Sequence, residues 1–429
     1  MKVILSINAG SSSVKISAYT AERGQEPSQL AEAQLSGLTS PPVRLKYSRR
    51  GAQVAKDQEV QEEVSSQDGA FGVLLKTLID DRDLPEIAGK RDVAIACHRV
   101  VHGGGYETSQ VINRETYHHL ERLTDLAPLH NASALEIVKT CLAELPGAVN
   151  VACFDSQFHA TIPEHIHTYP INPKIASKNQ LRKYGFHGIS YQFITDAVAK
   201  FLGKDPANLN IIALHLGSGA SACAIRNGKS WDTSMGLTPL AGLPGATRSG
   251  SVDPSLVFHY ASSDVGKLSP SSTRDLHISR AEEILNKQSG WKALTGTTDF
   301  AAIASAAGGG GEDETNRSKR QLAFDLFADR IGGYVGSYYV ALGGRVDALV
   351  FAGGIGEKSA RLRRSVVAQA ACLGFGIDED AEEDAEDAVV WDVSSKKQGG
   401  CRHKTLVCRT DEQLQMARMC AHDDALWSS

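Results

Sequence analysis

The chain has 429 residues, 42% hydrophobic and 22% charged, with a formal net charge of -5 at pH 7. That length holds two or three domains with a large buried core, and the slightly acidic balance argues against nucleic acid or an acidic membrane as the main partner. The eight cysteines are scattered, with no CxxC pair. They suit reduced thiols and a cytoplasmic location better than a disulfide framework, and neither a signal peptide nor an apolar run near the roughly 20 residues of a membrane span is expected.

The opening stretch, MKVILSINAGSSSVKISAYT, predicts a strand with Val3, Leu5 and Ile7 on one face. The run stops at Asn8, passes through Ala-Gly-Ser-Ser-Ser and resumes as Val14, Ile16 and Ala18. That is more polar equipment than a plain hairpin turn requires. Residues 41–67 are polar and charged and read as an exposed hairpin with a tail. DVAIACHRVVHGGG reads as a buried strand emptying into a glycine loop, SALEIVKTCLAEL has helical spacing, and AVNVACFDSQFH is a strand ending on a polar cluster.

A second strand and Gly/Ser turn appear in NIIALHLGSGASACAIRNG; ILSINAGS (4–11) laid over IIALHLGS (211–218) shares Ile, Gly and Ser and suggests a duplicated domain. Residues 232–254 lack regular periodicity and carry one arginine, Arg248, and long ordered loops in compact domains are usually functional. Residues 306–321 read as a flexible loop between helices. A third glycine turn follows in VDALVFAGGIGEKSA, and the acidic run 378–387 reads as a solvated face. Metal readings of CRHKTLVC (401–408) and of His118 with His119 carry little weight, because zinc spacing is not met and both read as near the surface.

Three strand-to-glycine turns in one chain point to phosphate handling. Glycine lets backbone N–H groups converge on an anion, and a following helix N-terminus adds its dipole. Neither a Walker-type GxxxxGK[ST] loop nor a GxGxxG dinucleotide fingerprint is present. Arg248 in its loop is suited to the charge on transferring phosphoryl oxygens. His187 in KYGFHGIS and Arg99 in CHRVVHGG stand at a glycine loop and a strand end.

With these residues in view, the sequence resembles the acetokinase family, the acetate kinases, within the sugar-kinase/heat-shock-protein/actin superfamily. The carrying motifs are NAGSSSVK, HRVVHGG, FDSQFH, YGFHGIS, HLGSGAS, DTSMGLTPLAGLPGATRSG, TTDF, VFAGGIGE and RTDEQ, spread over almost the whole chain. The resemblance implies an α/β fold of duplicated actin-like (ribonuclease H-like) domains around a central cleft. Residues 1–155, with a C-terminal helix at about 410–425 returning to them, would form the first domain. Residues 156–409 would form the nucleotide-binding second, in a cytoplasmic homodimer. The implied reaction is reversible phosphoryl transfer between ATP and acetate, giving acetyl phosphate and ADP with Mg²⁺ or Mn²⁺.

The same resemblance places Asn8 and Glu412 at the metal. Ser11, Ser13, Lys15, His215, Gly217, Gly219, Asp299, Gly353, Gly354 and Ile355 fall on the nucleotide and its phosphates. Asp155, His187 and Arg248 are the implied catalytic residues, with Arg99 on the substrate and Val101, Leu129, Phe186 and Pro239 around the acetate methyl. Four departures from the family pattern, at Ser218, Ala246, Ala301 and Lys358, fall on the nucleotide side and look eukaryotic, of fungal type. They bear on the donor: ATP is expected because GGIGE is kept, with pyrophosphate as the alternative. A propionate or butyrate kinase is a second alternative, and a non-catalytic protein on the same fold a third.

Overall fold

The computed structural model describes all residues except 11, 62–63, 124–127, 261–266, 270–271, 273–277, 306–313, 379–387, 397–400 and 428–429, and no side chains at 128–130 and 132–133. The chain divides into two compact units: Met1–Gln157 together with Asp411–Ser429, and Phe158–Thr410. All eight cysteines are free thiols.

In the first unit β1 (Lys2–Ala9), β2 (Ser13–Ala21), β3 (Ser28–Ser36), β4 (Arg44–Arg49), β5 (Ala52–Glu59), β6 (Val93–Val100), β7 (Gln110–Val111) and β8 (Val149–Phe154) lie in the order β5-β4-β3-β2-β1-β6-β8-β7. The first five strands are antiparallel neighbours, whereas β6 runs parallel to β1 and β8 parallel to β6. Val3, Leu5 and Ile7 pack with Phe71, Leu74 and Leu78 of the helix Gln67–Ile79. Ser66 Oγ starts that helix by accepting the Gly69 amide at 3.1 Å.

The opposite face of β1 is covered as well. Ser6 Oγ donates to the Gln413 carbonyl at 2.8 Å, and Gln413 Nε2 donates back to the Ser6 carbonyl at 3.2 Å. The helix Glu412–His422 is thus stitched to the strand, and Asp411 caps it by accepting the Leu414 amide at 2.9 Å. Coverage on both faces explains why Val3 to Ile7 are buried without interruption. The exposed hairpin expected within 41–67 is β4 and β5.

In the second unit β9 (Ile211–Leu216), β10 (Ala220–Arg226), β11 (Lys229–Thr233), β12 (Ala348–Ala352), β13 (Val390–Asp392) and β14 (Lys404–Cys408) lie in the order β11-β10-β9-β12-β14-β13. Here β9 pairs antiparallel with β10 and parallel with β12, as β1 does with β2 and β6. The repeated ILSINAGS and IIALHLGS segments sit at corresponding places in the two sheets, and the fold is a duplicated actin-like α/β fold. Ala220, Ala222 and Ala224 leave room on β10 for Phe324, Phe327 and Tyr338 of the helix Glu314–Ala341.

Two expectations change. Residues 314–321 belong to that long helix rather than to a loop, since apolar periodicity begins only at Leu322; 306–313 lie outside the described residues. CRHKTLVC is not a surface segment: it contains β14, buried from Thr405 to Cys408 and paired with β12 and β13. The acidic run lies outside the described residues from 379 to 387.

Candidate active site

Parallel pairing of β1, β6 and β8 aligns their C-terminal ends, where open α/β sheets bind ligands. Asn8, Arg99 and Asp155 sit at those ends. Asp155, 1% exposed, accepts from Arg99 Nη2 at 2.7 Å and from Arg99 Nε at 3.1 Å. Arg99 Nη1 reaches Asn8 Oδ1 at 3.4 Å and Glu412 Oε2 at 3.5 Å, and Asn8 Nδ2 lies 3.5 Å from the same Glu412 oxygen. Burial works against the Arg99 charge, but Asp155 and Glu412 outweigh it and hold its pKa above the ordinary value. The guanidinium is therefore fixed in place with its charge intact.

Two carboxylates and an amide oxygen in one cluster suit a hard divalent cation such as Mg²⁺, which keeps several waters and takes phosphate oxygens. Among the described residues no group of three or more His, Cys, Asp and Glu is arranged to hold a metal alone. Such an ion would therefore rely on water and phosphate to complete its shell. Val101 follows β6 half-buried, and Leu129 lies in the helix Pro128–Glu144 with its side chain outside the described residues. The Ser13 carbonyl accepts the Gly10 amide at 2.8 Å; Ser11 is outside the described residues. Lys15 is on β2 with its ammonium on Glu32 of β3 at 2.9 Å.

The second unit carries a separate cluster. His187 is the N-cap of the helix Gly188–Leu202 in the left-handed region, with φ 60° and ψ 21°. Its ring stacks on His215 of β9 with centroids 4.2 Å apart, and its Nδ1 meets Ser221 Oγ of β10 at 2.8 Å. The Gly217 amide donates to the Gly219 carbonyl at 3.1 Å, closing the β9–β10 turn. The Arg248 loop is tied to that turn, as the Ala246 amide donates to the Ser218 carbonyl at 2.8 Å. It is also tied to the helix Gly290–Thr295, where the Trp291 and Lys292 amides donate to the carbonyls of Gly245 and Ala246 at 3.2 and 3.0 Å. Phe186 and Pro239 are both buried in this unit.

Gly219 is what lets Arg248 and His187 converge. A Cβ there would overlap Arg248 Nη2 and lie 3.7 Å from His187 Nε2. The overlapped atom is the end of a flexible side chain, so Gly219→Ala is expected to fold normally while displacing the guanidinium. Its kcat should fall about tenfold or more, which is ~1.4 kcal/mol of barrier, with little change in thermal midpoint. Steady-state kinetics and a melting curve check both.

Beside the same turn lies a cavity of about 610 Å³ lined by Ser218, Asp299, Gly354, Ile355, Lys358 and Arg361, among others. Asp299 is exposed, and its Oδ1 accepts the Ala301 amide at 2.9 Å at the start of the helix Phe300–Ser305. Gly353 turns from β12 into the helix Gly353–Lys358 with φ +75°, and a Cβ there would come within 2.8 Å of the Leu216 carbonyl oxygen. Only glycine fits. At Gly354 nothing lies within 4 Å of an added Cβ. Gly354→Phe is therefore expected to fold as well as the parent chain but to raise the KM of the substrate that fills this cavity about tenfold or more, ~1.4 kcal/mol, leaving that of the other substrate unchanged; initial rates with each substrate varied test this.

The sequence pattern of the Acetokinase family matches residues 3–418. The chain belongs to the acetokinase family. It is a phosphotransferase with a carboxyl group as acceptor. It is similar to the probable acetate kinase of Chaetomium globosum, 64% identical over 100% of this chain and 99% of that one. It is also similar to the crystal structure of Porphyromonas gingivalis acetate kinase, with TM-score 0.77, 31% identity and coverage of 97% and 98%. A propionate kinase from Francisella tularensis matches with TM-score 0.81, 33% identity and coverage of 98% and 99%. No described helix is long and apolar enough to cross a membrane.

Ser190, Tyr191, Ser221 and Thr410, none of them among the residues the family resemblance implies, surround the two stacked imidazoles. Ser190 and Tyr191 stand three and four residues after His187, the spacing that shares one helical face, and that signal was available.

Proposed function

We propose that this acetokinase-family chain transfers the γ-phosphoryl of ATP to acetate, reversibly and in line, giving ADP and acetyl phosphate. The observation that carries the reading is that a cavity of nucleotide size ends at Ser218, on the turn where Arg248 and His187 converge. Acetate is already ionised at pH 7, so no general base is required. The physical problem is the approach of two anions, which cationic and hydrogen-bonding groups relieve by neutralising and aligning them.

Arg248 and His187 hold the oxygens of the transferring group, and Arg99 holds the acceptor carboxylate. Asp155, engaged by two Arg99 nitrogens, orients that guanidinium and abstracts no proton. Asn8, Glu412 and Asp155 would hold Mg²⁺, which when bound supplies charge neutralisation on the phosphate oxygens. Val101, Leu129, Phe186 and Pro239 are read as limiting the acid's size. The family resemblance also supports a cytoplasmic homodimer, which sedimentation would read as twice 45.9 kDa.

The deciding experiment supplies acetate, Mg²⁺ and hydroxylamine with either ATP or pyrophosphate and measures acetyl hydroxamate. Hydroxamate with ATP is expected; formation with pyrophosphate alone, or none at all, defeats the proposal. In the same assay propionate should react with a kcat/KM roughly 10- to 200-fold below that of acetate, the ~1–3 kcal/mol that one methylene is worth. Equal or better use of propionate would move the chain's substrate to the longer acid.

A further inference from the structure

Behind His187 lies a chain of buried hydroxyls to which the reaction above assigns no part. His187 Nδ1 meets Ser221 Oγ at 2.8 Å, and Ser221 Oγ meets Tyr191 OH at 2.5 Å. Ser221 and Tyr191 are fully buried. One belongs to β10 and the other to the helix that His187 caps, so a strand and a helix hold the ring from the same edge. The stacked His215 is held in turn, its Nδ1 meeting Ser190 Oγ at 2.8 Å and Ser190 Oγ meeting Thr410 Oγ1 at 2.8 Å. The far edge of His187, at Nε2, lies beside Gly219 and the Arg248 guanidinium.

The proton positions follow from the chemistry of these groups. The Arg248 guanidinium close to Nε2 disfavours a second positive charge on the ring, which favours a neutral His187 carrying one N–H. Burial raises the Tyr191 pKa well above its ordinary value, and the phenol keeps its proton. A phenol is also a stronger donor than an aliphatic hydroxyl. Tyr191 O–H therefore donates to Ser221 Oγ, Ser221 O–H donates to His187 Nδ1, and the ring proton resides on Nε2. The opposite tautomer would aim a bare lone pair at phosphoryl oxygens, which only accept.

We propose that Tyr191 and Ser221 are positioning residues that impose the Nε2–H tautomer on a neutral His187, making it an uncharged donor to the phosphoryl group beside Arg248. This rests on the functional reading given above. Holding a histidine in the wrong tautomer is costly in other enzymes that depend on one.

The test uses protein labelled with ¹⁵N-histidine, with the His187 ring resonances assigned by their loss in His187→Gln. The wild-type ring should be protonated at Nε2 and bare at Nδ1. In Ser221→Ala the ring should populate both tautomers, and kcat should fall about tenfold or more with both KM values within about threefold. Tyr191→Phe should move the same two readouts in the same direction by less. A wild-type ring protonated at Nδ1 overturns the proposal, as does Ser221→Ala with unshifted ring nitrogens and an undiminished kcat. The wild-type tautomer is read without a variant and without turnover, so a Ser221→Ala chain that fails to fold leaves the proposal testable. An Nε2–H ring in a protein with no ATP:acetate activity would defeat the functional reading and leave the tautomer assignment standing.

Discussion

Arg248→Ala is expected to lower kcat by about 100- to 1,000-fold, or ~2.7–4 kcal/mol of transition-state stabilisation, with a much smaller change in the acetate KM. The loop that carries Arg248 is tied through backbone hydrogen bonds to Ser218 on one side and to the helix Gly290–Thr295 on the other. In the reading proposed above, that fixed loop places the guanidinium in advance of charge that develops only as the phosphoryl group moves. Groups positioned before the reaction act on the barrier more than on ground-state binding. Arg248→Lys should recover only part of the loss, because an ammonium cannot present the planar pair of donors. Steady-state rates with both substrates varied, and a circular dichroism spectrum to verify folding, make the measurement. A normal kcat in Arg248→Ala would remove the residue from the mechanism.

Asp155→Ala should be nearly as severe for activity, and unlike the Arg248 variant it should also destabilise the protein. Asp155 is 1% exposed, and its carboxylate takes hydrogen bonds from two Arg99 nitrogens. Removing one partner of a buried pair costs about 3–5 kcal/mol, because the other charge is left uncompensated. Arg99 retains Glu412 at 3.5 Å and some solvent, which puts the expected loss near the lower end. A loss of about 3 kcal/mol corresponds to a fall of roughly 6–12 °C in the midpoint of a unit this size. Activity should fall about 100-fold through misplacement of the guanidinium. Asp155→Asn keeps the shape and one acceptor, so its midpoint should lie between the other two. Scanning calorimetry paired with kinetics reads both effects, and an Asp155→Ala chain that melts and turns over like the parent would refute the role given to this pair.

Local pattern reached the strands and the duplication, and stopped where distant segments meet. Val3, Leu5 and Ile7 alternate within one strand, so one buried face of β1 could be read from five consecutive residues, while the burial of Ser6 on the other face, under Gln413, could not. The repeated strand–turn–strand was visible because the same backbone problem is solved twice with similar residues. Nothing local pairs Arg99 with Asp155. Their contact exists because β6 and β8 are parallel neighbours whose ends coincide after an intervening crossover. Glu412 was reached only through the family resemblance, since no spacing rule links it to Asn8.

Lys15 has a pairing that local pattern does not reveal. A lysine after a Gly/Ser turn looks ready for phosphate, yet β2–β3 register sets it opposite Gln34 and diagonal to Glu32, which takes its charge. CRHKTLVC was misread because its polar start hid a buried strand only five residues long.

The helix Glu412–His422, stitched to Ser6, has a consequence for how the protein is made. On the ribosome β1 emerges long before the segment that seals its far side, which follows only after the whole second unit has been synthesised. Until then the nascent amino-terminal half leaves one flank of its sheet uncovered and lacks the Glu412 carboxylate beside Arg99. A stop codon placed just ahead of Glu412 would thus damage a sheet made hundreds of residues earlier rather than the segment beside it.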